Sequence, residues 1–229
     1  MRWADIDMLR HVNNVTYAEY AAEAQALLGS ELPAAGLPSE VTVRFAAPML
    51  ISRTPVSIVT SIDADVVTQE IGSGETVNAH IVSRFGAVPE LSFPDGAEGP
   101  ADVRVRIGDV DQSGRVTVPK LFELTQETRI LAIAERLAEG SFGQFVVGTV
   151  TLQLASSPVW REEPYQTRGW ISRVGNGSFT VESVLLDGDV PLVQASSILV
   201  GFDLDTQKSR PFTEREKAAL RDPVDREVA

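Results

Sequence analysis

Near its N-terminus the chain reads Asp5-Ile6-Asp7-Met8-Leu9-Arg10-His11-Val12-Asn13-Asn14-Val15-Thr16-Tyr17, and the organisation of the whole sequence follows from this stretch. Side chains two apart on a strand share a face, so an extended Asp5-Ile6-Asp7 delivers two carboxylates to one side. Seven residues after Asp7 a helix is predicted to begin, with Asn13 or Asn14 as its N-cap. A carboxylate then lies near the free N–H groups of a helix start, which can receive negative charge developing on a carbonyl oxygen. A base or nucleophile beside an oxyanion site is what acyl transfer requires.

The stretch recurs. Arg2-Trp3-Ala4-Asp5-Ile6-Asp7 has a counterpart in Arg106-Ile107-Gly108-Asp109-Val110-Asp111, 104 positions on. Each copy leads into a helical pattern, Asn14 to Leu28 and Thr117 to Ala138. Apolar faces recur at three- and four-residue steps, through Tyr17, Ala21, Ala24 and Leu28 in one and Leu121, Leu124, Thr128 and Leu131 in the other. β-like runs follow at 41–45, 55–62 and 76–85, then at 145–154, 165–174, 179–186 and 191–202. Residues 71–75 read as a turn. Because Pro55 to Phe85 is shorter than Pro164 to Phe202, one hairpin of the first half is expected to be trimmed. Prolines and glycines crowd into 86–101, a composition that neither a helix nor a central strand accepts. The pattern is α+β, in two tandem units at 1–88 and 102–205, with a linker at 89–101 and a short helix and tail at 206–229.

Composition narrows the function. With 229 residues, 43% of them hydrophobic, the chain can bury a substantial core. A net charge of −12 repels nucleic acid and anionic membrane surfaces and leaves small molecules and proteins as expected partners. The absence of cysteine excludes disulfides, thiolate metal sites and a cysteine nucleophile. Two histidines, His11 and His80, leave little for a metal centre, and none is expected. No secretory or transit pattern opens the sequence and no apolar run approaches ~18 residues, so a cytoplasmic protein without membrane spans is expected.

The string R-W-x-D-x-D-x-x-x-H-V-N-N-x-x-Y resembles the opening motif of the 4-hydroxybenzoyl-CoA thioesterase branch of the hotdog-fold superfamily, which includes acyl-CoA and acyl-carrier-protein thioesterases. The second copy, R-I-G-D-V-D-Q-S-G-R-V, looks like a more degraded version. The resemblance implies a double hotdog, two long helices wrapped by antiparallel sheets that join side by side, with active sites between the units. It implies Asp7 and Asp111 as catalytic carboxylates, the Asn14 and Val118 N–H groups as carbonyl-polarising amides, and His11, Asn13 and Asn14 as further catalytic candidates. A glycine is usual before His-Val-Asn-Asn, where this chain has Arg10. The second copy keeps Gly114 but has Arg115 for the histidine and Thr117-Val118 for the asparagines, so the Asp7 site is expected to be the working one. The implied activity is hydrolysis of an acyl-CoA, with coenzyme A as part of the substrate, no other cofactor, and Arg53 and Arg84 as candidates for its phosphates. An acyl-carrier-protein thioesterase and a non-catalytic acyl-thioester binding protein are the alternatives, and a homodimer of double-hotdog chains is the expected assembly.

Overall fold

A computed structural model of the chain describes residues 1–7, 10–33, 36–95, 97–134 and 145–221, so the end of the second helix expected beyond Ala134 lies outside the described residues. Asn13 starts the first helix. Its Oδ1 accepts the Val15 N–H at 3.1 Å, and α1 (Asn14–Leu28) buries Val15, Thr16, Tyr17, Ala18 and Ala21. The second helix, α2 (Val118–Ala134), buries Leu121, Phe122, Leu124 and Ile133.

The strands are β1 (Glu40–Phe45), β2 (Val56–Asp63), β3 (Val66–Ser73), β4 (Thr76–Arg84), β5 (Glu98–Val103), β6 (Phe145–Leu154), β7 (Tyr165–Val174), β8 (Ser178–Asp187), β9 (Val190–Asp203) and the two-residue β10 (Lys208–Ser209). They form one antiparallel sheet in the order β2-β3-β4-β1-β6-β9-β8-β7-β5, with β10 on β9. Outward from the β1–β6 seam the succession is the same on both sides: β1, β4, β3, β2 in one direction and β6, β9, β8, β7 in the other. Thr42 faces Thr151 at this seam, their hydroxyls 3.0 Å apart. One apolar cluster draws on both halves, from Val12, Tyr17 and Val43 to Leu121, Leu152 and Val193. No helix among the described residues is long and apolar enough to cross a membrane.

Two expectations are corrected. No hairpin is trimmed, because β3 occupies much of the segment read as a turn, and the first half differs only in having shorter strands. Its turn from β2 is made by Ala64 at φ 49°, which carries no glycine signal, and its centre holds Gln69, fully buried. Gln69 Nε2 donates to the Ala21 carbonyl at 3.1 Å and its Oε1 accepts from Gln25 at 2.9 Å, which satisfies a residue whose polarity disguises the strand. Gly72 marks a bulge, where a Cβ would collide with the Thr76 carbonyl oxygen. The second correction concerns the stretch read as a linker: it contains the start of β5, an edge strand beside β7. An edge strand tolerates Pro100 because one row of its backbone groups needs no partner.

The chain then docks a short helix, α3 (Glu214–Arg221), through Phe212 and Leu220 onto Phe179. Thr213 and Glu216 cap it reciprocally: the Thr213 N–H donates to Glu216 Oε2 at 2.8 Å and the Glu216 N–H to Thr213 Oγ1 at 3.2 Å. Arg210 grips the same carboxylate at 2.6 and 3.0 Å, and this pairing pulls the Glu216 carboxyl down to about 2. A carboxyl depressed in the folded state contributes stability above its unfolded value and loses it as the pH falls, here between about 5 and 2. Across that range the melting temperature is expected to fall less in a Glu216→Gln variant than in the wild type.

Candidate active site

The two aspartates of the first motif part company. Trp3–Asp5 forms a 3-10 turn rather than a strand, because the buried Asp5 carboxylate accepts the Arg2 N–H and so closes the turn on itself. Its Oδ2 also accepts the Tyr20 hydroxyl at 2.8 Å, which ties the motif to α1. Burial and this bond to Asp5 push the Tyr20 hydroxyl up, so it stays a donor. Asp5 and Asp7 therefore do not share a face as the strand reading requires: Asp5 anchors the motif, and Asp7 is left for the loop beyond it.

That loop is closed by backbone bonds. The Asp7 N–H donates to the His11 carbonyl at 2.8 Å, the Arg10 N–H to the Asp7 carbonyl at 3.1 Å, and the His11 N–H to Asp7 Oδ1 at 2.9 Å. Ile6 bridges Val12, and the Val12 N–H reaches the Met49 carbonyl at 2.8 Å, which pins the loop to the segment after β1. The tight return leaves Arg10 at φ 62°, and its counterpart Gly114 lies at φ 78°, so the second copy keeps the residue the turn favours. Arg10 does not line the cavity. Arg10→Gly is expected to stabilise the fold by about 0.5 kcal/mol, net of the entropy glycine adds to the unfolded chain. A melting temperature raised by roughly 1–2 °C in a thermal scan checks this.

Asp7, His11, Asn14 and Tyr17 line one wall of a cavity of about 440 Å³, which falls in the range of small-molecule sites. Phe45 to Pro48 add to this lining, and the other half of the chain contributes Phe145 to Gly148 on β6 with Val200 and Phe202 on β9. Asn14 opens α1, so its N–H has no intrahelical acceptor. Tyr17 is 2% exposed and stands edge-on to Phe45, ring centroids 5.4 Å apart. Burial pushes its hydroxyl up to about 12, the Met49 backbone opposes the shift, and the charge of Asp7 adds to it. Tyr17 is therefore a neutral hydroxyl at neutral pH, close enough to feel the carboxylate.

Of the residues singled out from sequence, Asp7, His11 and Asn14 meet in this cavity. Asn13 is the helix cap. Arg84 pairs with Glu40 at 3.5 Å on the surface, and neither it nor the exposed Arg53 lines the cavity. His80 lies 3.5 Å from Glu70 across the β3–β4 pair. Tyr17 and the β6 wall were not singled out, since a tyrosine on an apolar helical stripe reads as core and only the sheet seam brings β6 to Asp7.

The second motif opens on a different cavity, of about 980 Å³, lined by Asp111, Arg115, Thr117 and Val118 and by α1 from Ala22 to Gly29. Asp111 is exposed, and its Oδ1 accepts the Ser113 hydroxyl at 2.6 Å, the Ser113 N–H at 2.8 Å and the Arg115 N–H at 3.2 Å. These bonds, the hydroxyl first, hold the carboxyl below the usual carboxylate range. The offset of 104 sets Asp111, Arg115, Val118 and Leu121 where the first half has Asp7, His11, Asn14 and Tyr17.

Residues 1–85 match the family model of the acyl-ACP thioesterase C-terminal domain. No curated protein matches the sequence. The structure is similar to the 12:0-ACP thioesterase from Umbellularia californica, with TM-score 0.68 and 11% identity over 93% of this chain and 92% of that one. A Lactobacillus plantarum protein provisionally called oleoyl thioesterase gives 0.66 and 13% over 89% and 94%. A Thermus thermophilus thioesterase in complex with coenzyme A and Zn gives 0.51 and 18%, over 56% of this chain and 95% of that one. These likenesses show the fold: the chain has the hotdog-type fold of thioesterases, built of α-helices on a large antiparallel sheet.

Proposed function

We propose that the chain is a tandem pair of hotdog units that hydrolyses an acyl thioester to the free acid and a thiol in the Asp7 cavity. The observation that carries this reading is the meeting of Asp7, His11, Asn14 and Tyr17 on one wall of a cavity closed by the other half of the chain. A thioester is already activated, so a carboxylate and an oxyanion donor suffice. The Asn14 N–H receives the charge that grows on the thioester oxygen, helped by its place at the start of α1. Asp7 either attacks the carbonyl to form a mixed anhydride that water then cleaves, or takes a proton from the attacking water. The neutral Tyr17 hydroxyl is a donor for the carboxylate or the departing thiolate.

The match of residues 1–85 to an acyl-ACP thioesterase domain supports acyl carrier protein as the carrier. Coenzyme A, bound in the Thermus relative, is the second reading, and both carriers present the same pantetheine arm. Hydrolysis assays with matched acyl-ACP and acyl-CoA series, following thiol release, test the proposal. Turnover that is faster on the ACP series supports the leading reading, and turnover faster on coenzyme A thioesters favours the second. Failure to hydrolyse any member, with thermal stabilisation by coenzyme A, would make the chain a binding protein instead.

A further inference from the structure

The 980 Å³ cavity shares no lining residue with the one at Asp7. Asn14 and Tyr17 of α1 line one cavity and Ala22 to Gly29 the other, so at 1.5 Å per residue the two linings are separated by ~7 Å along the helix. The larger cavity is graded in polarity. At one side are Arg115, Thr117 and Ser156 with the first turn of α2, and Arg115 Nη1 donates to the Ser157 carbonyl at 3.3 Å. Away from that edge the lining is Ala22, Gln25, Ala26, Leu32, Leu37 and Phe85, apolar apart from Gln25, whose amide is bonded to Gln69 and Ser83. A polar edge leading to an apolar body is the profile of a ligand with one polar head on a hydrocarbon chain.

The groups at that edge differ from those around Asp7. The Oδ1 of Asp111 already accepts three donors, and a carboxylate so stabilised is a weak base and a poor nucleophile. The positions of His11, Asn14 and Tyr17 are filled by Arg115, Val118 and Leu121, and Leu121 is fully buried in the core. The helix-start amide of Val118 shares this lining with Arg115 and with the Asp111 carboxylate.

Resting on the thioesterase reading, we infer that this second cavity holds an acyl-pantetheine thioester without cleaving it, so that each chain binds two acyl groups and hydrolyses one. The acyl chain lies along Ala22 and Ala26 of α1, the thioester carbonyl meets the Val118 N–H, and the pantetheine arm leaves past Thr117 and Arg115.

The test is calorimetric titration of the full chain with the methylene-ketone analogue of lauroyl-pantetheine, in which a CH2 group between carbonyl and sulfur prevents hydrolysis. Two molecules bound per wild-type chain, falling to one in Ala26→Trp, is the expected result. Ser156→Trp, which fills the cavity from its opposite wall, repeats the measurement should the first variant fold poorly. One molecule bound in the wild type and in both variants overturns the inference and leaves the Asp7 reading standing. Two molecules still bound in both variants overturn it as well. No binding in any form removes the thioesterase reading along with it.

Discussion

Asp7→Asn is expected to slow thioester hydrolysis about 10³-fold, in the range that separates a positioned carboxylate from none. Both routes open to Asp7 need the charge: an amide neither forms the anhydride nor takes the proton of water. The substitution keeps the volume of the side chain and an oxygen that can accept the His11 N–H now bonded at 2.9 Å, so the loop stays closed. Its melting temperature is therefore expected to remain within ~2 °C of the wild type, a shift of under about 1 kcal/mol. Turnover by thiol release and a thermal scan on the same preparation separate the two effects, and near-normal turnover would remove Asp7 from the chemistry. Asp111→Asn is the contrast. Its carboxylate is engaged by Ser113 and Arg115 at the edge of the other cavity, and turnover is expected to stay within about threefold of the wild type.

The same loop shows what a sequence can and cannot disclose. The start of α1 at Asn14 and its end at Leu28 were legible, because Asn13 is a strong cap and the apolar stripe runs to Gly29. The recurrence 104 positions on predicts two like units, and the strand order outward from the β1–β6 seam is the same on both sides. Strand β3 was hidden by its own solution to burial, a glutamine bonded inside the core and a turn made by alanine. The divergence of Asp5 from Asp7 was hidden because it depends on a tyrosine fifteen residues away. The cavity was only half legible. Asp7, His11 and Asn14 are neighbours in sequence, but the wall from Phe145 to Gly148 comes within reach only through the pairing of β1 with β6, and periodicity carries no volumes.

That pairing is expected to make the two halves one folding unit, and Leu152→Ala tests it. Leu152 lies on β6 with Val41 of the first half on one side and Ala195 of the second on the other, fully buried in the cluster that both halves share. Truncating such a leucine removes its transfer energy and leaves a void in the shared core, a cost of about 3 kcal/mol. For a domain of this size that corresponds to a fall of roughly 6–12 °C in melting temperature. The shape of the transition carries as much as its position. If the seam welds the halves together, wild type and variant each melt in a single step, with calorimetric and van't Hoff enthalpies in agreement. Two resolved steps, only one of them shifted, would mean that each half holds its own core. The cavity at Asp7 would then be an opening between independent bodies rather than a fixed site, and the shared wall on which the proposed reaction depends would be lost.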